Sequence, residues 1–338
     1  FATDIGETFV NSAQIEAVLP LYTSDELTAT IEQARNLVTA SEAAFKSAEQ
    51  SIQLAATDAH LSVYEASETV KVRDKNVERL QTQLTAARDR FDIGVITRTD
   101  VDVAEARFQA ARAGQLAAVA ELQAARASYL ELTGTQPETL VVPNKLPAFD
   151  RELDVLFSRI DTANYDLQQS KALEQVAELG IKAAESQRKL KVEAFGSAGF
   201  QDGSWNNNFL DRSATLGVRA SRPIYTGGRL ESAERKAVQQ REQARLQTIQ
   251  IRNRLLREMA TAYARYQAAL SAVTASEKEI KASQTALEGA EIEVGVGLRT
   301  TLQLLDQEQD LLDAELRLIS ARKSVFLSLS QIQAFLGE

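Results

Sequence analysis

"VGVGLRTTLQLLD", Val294–Asp306, and "DIGVITRTDVDVA", Asp92–Ala104, each place a glycine between long polar stretches almost free of helix breakers, and Gly297 stands 203 positions after Gly94. Glycine takes φ > 0 without steric cost, so each stretch predicts a tight turn between two helices. From Thr23 to Ile93 there is no Gly and no Pro. That run predicts one helix of about 65 residues, roughly 100 Å at 1.5 Å per residue. A second helix is expected from Thr97 to Leu132, softened only at Gly114, and "TGTQPETLVVPNKLP" then supplies the Gly and Pro of an irregular connector.

Residues 151–190 read as a helix with Gly180 as its one weak position. The period then changes. "SATLGVRASRPIY", Ser213–Tyr225, alternates Ala214, Leu216, Val218 and Ala220 with Thr215, Gly217, Arg219 and Ser221, the pattern of a strand with one apolar and one polar face. "VEAFGSAGF" before it is a weaker strand, with "QDGSWNNNF" as a polar loop between them. "TGGRL", Thr226–Leu230, turns the chain into a helix running to about Glu293, and a last helix follows to Leu336.

The same offset of 203 carries Pro20 onto Pro223, Tyr22 onto Tyr225, Leu27 onto Leu230, Thr97 onto Thr300, Glu105 onto Glu308 and Gly134 onto Gly337. Strand end, helix start, turn and helix end coincide without an insertion, so the chain reads as a duplication. Ala13, Ile15 and Ala17 fall on Leu216, Val218 and Ala220, which makes "SAQIEAVLPLY" a strand of the same kind. The helix and strand that open the second copy have no counterpart in the first. About 60 residues holding one helix and one strand are therefore expected ahead of Phe1 in the intact protein.

The expected divisions are a strand segment over 1–22, a helical hairpin over 23–134 with its tip at 92–99, and a connector over 135–150. The second copy then has a helix over 151–190, strands and a loop over 191–225, and a second hairpin over 226–338 with its tip at 294–300. The fold class is mostly α with a small β part.

Bulk properties exclude several functions. A net charge of −9 and a pI near 5 leave no clustered Lys and Arg for nucleic acid. With no Cys there is no disulfide, thiolate nucleophile or thiolate metal site. His60 stands alone within a helix, without a Ser/His/Asp set, a phosphate loop or metal-spaced ligands, so neither catalysis nor a cofactor is expected. Alternating strands of this length suit a membrane β-barrel as well as a small soluble sandwich. An open sheet edge is not tolerated in lipid, so a membrane reading requires several chains to share one barrel.

Three stretches carry a resemblance. "RPIYTGGRLESAERKA", Arg222–Ala237, resembles the strand-to-helix corner of TolC-type outer membrane channels. "FDIGVITRTDVDVAEARF", Phe91–Phe108, and "VGVGLRTTLQLLDQEQDLLDAELRL", Val294–Leu318, resemble the two helical tips of the same family. The resemblance implies a homotrimer in the outer membrane of a Gram-negative cell, in contact with its lipid. It further implies a shared twelve-stranded β-barrel continuous with a periplasmic α-barrel about 100 Å long.

It also implies that Ile93, Gly94, Val95, Val296, Gly297 and Leu298 dock a periplasmic adaptor, the membrane fusion protein, and through it an inner-membrane ABC or RND transporter. Asp306, Asp310 and Asp313 follow i, i+4 and i+7 spacing on one helix face. On a threefold axis each would become a ring of carboxylates that attracts cations. Asp306 matches one of two pore carboxylates of the family, and Gln303 stands where the other is expected. Thr99, Asp100 and Arg299 match residues that tie the gate shut, whereas Val294 replaces an expected Tyr. The expected function is an exit duct for tripartite efflux or type I secretion. The alternative from residue pattern alone is a soluble coiled-coil scaffold, adaptor-like, with a small β domain.

Overall fold

A computed structural model of the chain describes residues 10–138, 149, 152–203 and 209–337. Most of the connector expected over 135–150, the loop residues 204–208 and residues 1–9 of the first strand segment lie outside them. The elements run β1 (Val10–Tyr22), α1 (Glu26–Asp92), α2 (Arg98–Thr133), α3 (Leu153–Ala163), α4 (Tyr165–Ser186), β2 (Lys191–Gly203), β3 (Phe209–Ser221), α5 (Arg229–Gly295) and α6 (Thr301–Phe335). Among the described residues no helix is apolar enough to cross a membrane.

The helices repeat with the offset read from the sequence. Adding 203 to the limits of α1 gives those of α5, and each helix has 67 residues. Adding 203 to Arg98 gives Thr301, where α6 begins. The left-handed positions repeat as well: Gly94 and Gly297 have φ of 79° and 80°, Gly134 and Gly337 have 71° and 72°.

One compact unit comprises residues 1–44 and 166–251. Here β2 is the central strand, antiparallel to both β1 and β3. The register sets Ile15 beside Ala198 and Ala214, Ala17 beside Gly196 and Leu216, and Leu19 beside Ala194 and Val218. The alternate rows carry Glu16, Ser197 and Thr215, then Pro20, Glu193 and Arg219. Since side chains alternate across a strand, one face is apolar and the other largely polar. On the polar face Arg219 donates to Glu193 at 3.0 Å and lies over the Phe195 ring. The apolar face has no cover among the described residues: Ile15 and Leu216 are 78% and 89% exposed.

β3 stops at Ser221, short of the Tyr225 expected from the alternation, because its partner β2 begins opposite it at Lys191. β1 continues to Tyr22, past an irregularity in its pairing between Pro20 and Tyr22. Both strand-to-helix corners then use two successive left-handed residues. These are Gly227 and Gly228 before α5 but Ser24 and Asp25 before α1. Ser24 is buried, and its hydroxyl donates to the Leu190 carbonyl at the entry to β2, which holds a conformation that a Cβ disfavours.

The second unit comprises residues 45–165 and 252–338. The helix expected over 151–190 is two helices, with the break at Asn164 (ψ 126°) and the second ending at Ser186. The amide of Asn164 donates to the Phe335 carbonyl, and a Cβ on Gly337 would lie 2.8 Å from the Ala163 carbonyl oxygen. The end of α6 therefore seats on the break, a tertiary contact that no local signal in 151–190 announces.

Packing between the long helices uses small residues and leucines at matched positions. Leu84, Ala87, Val101, Phe108 and Ala111 are buried in the first copy, and Leu287, Ala290, Leu304, Leu311 and Ala314 are buried 203 residues later. Helices α1 and α2 pack through the first set and α5 and α6 through Leu287, Ala290, Leu304 and Leu311 of the second, while Leu305 of α6 joins the first cluster. A Leu or Phe removed from water in this way stabilises by about 1.5–3 kcal/mol.

Candidate functional site: the paired helical tips

Each tip is a Schellman turn followed by a capping box. At the first, Gly94 N–H donates to the Phe91 carbonyl at 2.8 Å and Val95 N–H to that of Arg90 at 2.9 Å. At the second, Gly297 donates to Val294 at 3.2 Å and Leu298 to Glu293 at 2.8 Å. These bonds satisfy the last carbonyls of α1 and α5, and the left-handed residue they require is why glycine stands there. A Cβ on either glycine would meet nothing within 4 Å, so the requirement is conformational and not one of space.

Thr97 then caps α2. Its N–H and hydroxyl donate to Asp100 Oδ2 at 2.9 and 2.7 Å, and its Oγ1 accepts from Asp100 N–H at 3.3 Å. These bonds, the hydroxyl's first, hold the Asp100 carboxyl below its ordinary pKa. Thr300 caps α6 with Gln303 in the same geometry: its N–H and hydroxyl reach Gln303 Oε1 at 3.0 and 3.3 Å. The signature T-x-x-D or T-x-x-Q is legible in the sequence as a capping box.

The turns leave apolar side chains in solvent. Ile93, Val95, Val296 and Leu298 are 75%, 65%, 67% and 79% exposed. Thr99 is exposed in the first turn of α2. Arg299 pairs with Glu293 across its own turn at 2.5 Å. Asp306 is held by Arg107 of α2 at 2.9 Å, a bond between the two hairpins. Asp310 accepts from Gln307, and Asp313 from Gln309. Val294, where the resemblance led to the expectation of Tyr, is buried with Leu287, Ala290, Leu304 and Leu311 and is part of the packing.

The most deeply buried charge in this region was missed from the sequence. Glu308 is 1% exposed and accepts from Arg79 Nε of α1 at 2.7 Å. Its signal was a carboxylate amid Leu304, Leu305, Leu311 and Leu312, on the face that packs. Among the described residues no cluster of His, Asp or Glu is arranged to hold a metal ion.

A family model described as outer membrane efflux protein matches residues 5–135 and 156–338. The chain belongs to that family. Its place is the outer membrane, which sets aside the soluble scaffold reading. It is 30% identical over 281 residues to outer membrane efflux protein BepC of Brucella suis biovar 1, covering 83% of this chain and 62% of that protein. It is 23% identical over 308 residues to outer membrane protein TolC of Escherichia coli K12, covering 87% of this chain and 62% of that protein. The chain thus spans 62% of the length of either relative. The crystal structure of the outer membrane protein VceC from Vibrio cholerae superposes with a TM-score of 0.81 at 18% identity, over 98% of this chain and 86% of that one. This likeness shows the fold: long helices and few strands, in the arrangement of these channels.

Proposed function

We propose that the chain is one stave of a homotrimeric exit duct for efflux or type I secretion. Three copies share one twelve-stranded barrel in the outer membrane, and the helical tips dock a periplasmic adaptor that links the duct to an inner-membrane ABC or RND transporter. The observation that carries this reading is the pair of tips. Four apolar side chains, Ile93, Val95, Val296 and Leu298, project from two turns of the same design. Exposed apolar groups on rigid turns are suited to burial by a partner. The sheet supports the same reading, since its β1 and β3 edges are unpaired among the described residues and its outer rows are apolar. Lipid tolerates the apolar rows but not the edges, and identical neighbours remove the edges.

In this assembly Asp306 and Asp310 form carboxylate rings at the gate, with Thr99, Asp100, Arg299 and Gln303 setting the tips beside them. The docking test is Ile93→Asp with Leu298→Asp. Both positions are exposed, so folding and assembly are retained while export of the transporter's cargo is lost. Export at the parental level would reject docking at the tips. Arg299→Glu, which sets a second carboxylate against Glu293, is expected to raise single-channel conductance in planar bilayers, and an unchanged conductance would reject a gating role for Arg299.

A further inference from the structure

Glu308 sits on α6, in the second hairpin, and its charge partner of opposite sign among the described residues is Arg79 on α1, in the first. Glu308 Oε2 takes the Arg79 Nε–H, while Glu308 Oε1 is buried without a hydrogen bond. Arg79 Nη2 lies 3.9 Å from Glu315, and both of those atoms are also buried without one. Asn76, one turn before Arg79, has its Oδ1 in the same condition. Glu291 of α5 adds a third negative charge and is itself bonded to Gln83 of α1 at 3.3 Å. The charged groups acting on Glu308 are therefore Arg79 from α1, Glu291 from α5 and Glu315 from its own helix. Helix α2 meets α6 through Leu305 and the Arg107–Asp306 pair.

We infer that Glu308 is a positioning residue that seats the second tip hairpin on the first, and that it works as a proton-linked clamp, closing in acid and loosening in alkali. Glu308 and Glu315 share one guanidinium and Glu291 adds its charge on Glu308, so the cluster carries excess negative charge, and the most deeply buried member gains most from taking a proton. Burial does hold Glu308 above the ordinary carboxylate range, against the pull of Arg79 and with a further push from Glu291 and Glu315. The sign follows by linkage. The packed hairpins hold this proton more tightly than separated ones, in which water reaches the carboxylate. Proton uptake therefore favours packing, and the preference is lost as pH rises through the elevated pKa. An ordinary salt bridge behaves in the opposite way and weakens in acid.

The inference rests on the tips being the working end of a duct, and the test separates the two ideas. The chain has no cysteine, so spin labels can be placed at Thr85→Cys and Thr285→Cys, both exposed, in the full-length protein. Labelled protomers are diluted into unlabelled ones, and the inter-label distance distribution is recorded between pH 8 and pH 4. The separated population is expected to fall with pH, by up to about tenfold per unit while the proton is taken up. Glu308→Gln should give the packed distribution throughout. Arg79→Gln should move the midpoint to higher pH. Separation that grows in acid, or a pH response that survives Glu308→Gln, would overturn the clamp. Bilayer conductance of the same protein reports on the duct alone. A pH-linked distance change without conductance keeps the clamp and rejects the duct, and conductance with a pH-independent distance does the reverse.

Discussion

At the first tip, Arg88 of α1 and Glu105 of α2 form an exposed ion pair that closes the hairpin on itself. At the same two places in the second copy stand Glu291 and Glu308, both carboxylates. They cannot pair with each other, and Glu308 reaches instead to Arg79 of the first hairpin, where the second copy has Ala282. The two tips share their turns, caps and apolar contacts, and they differ in which helix completes their charges. At this level the first hairpin closes on itself and the second borrows a cation from α1, although farther from the tip Arg317–Glu279 and Arg322–Glu277 join α6 to α5 directly. Duplication has kept the backbone and reassigned the partners.

Removing one cation from each tip gives the largest expected contrast. At alkaline pH, where Glu308 is ionised, Arg79→Leu leaves it buried and uncompensated and should destabilise the hairpin contact by about 4 kcal/mol, whereas Arg88→Leu removes a solvated pair worth about 0.5 kcal/mol. Amide hydrogen exchange along α6 would read the difference, and equal effects would erase the asymmetry. Leu305 comes next, since it is 2% exposed and crosses into the first cluster. Leu305→Ala should cost about 3 kcal/mol, while Asp102→Ala at the matching surface position should cost less than about 0.5 kcal/mol.

The caps separate the tips by pH. Thr97→Ala and Thr300→Ala should each cost about 1 kcal/mol near neutrality. Because the Asp100 carboxyl is held low by its bonds from Thr97, its cap contributes above the ordinary Asp pKa, near 4, and is lost as pH falls through the depressed value. The Gln303 cap carries no charge and should not respond. Exchange at the first turn of α2 should therefore quicken in strong acid relative to that of α6; parallel behaviour would contradict the assignment. The smallest effect belongs to the corners. Asp25→Gly relieves an exposed left-handed residue and, after the entropy of glycine is set against it, should stabilise by about 0.5 kcal/mol. Loss of stability would show that the Asp25 side chain has a role of its own.

The helices, turns and duplication were legible because they rest on local rules: absence of breakers over α1, glycine where φ must be positive, and an offset that the long helices and their turns keep, although the strand ends do not. The first strand-to-helix corner was not, since Ser24 and Asp25 adopt the conformation that Gly227 and Gly228 advertise, and only the bond from Ser24 to Leu190 explains it. The break at Asn164 depends on the end of α6, which is far away in sequence. At the tips the glycines announce the turns, whereas Asp100 and Gln303 are polar residues that suit a pore as well as a helix end, and only the bonds to Thr97 and Thr300 show that they close α2 and α6. Glu308 was passed over as one carboxylate among many. Its meaning comes from its burial and from Arg79, a partner on a helix far away in sequence.

Images of single particles of the purified full-length protein in detergent test the central claim most directly, for the staves must complete one another's sheet edges around an axis. The account predicts end views with threefold symmetry and a hollow centre. Monomeric particles without a cavity would contradict it.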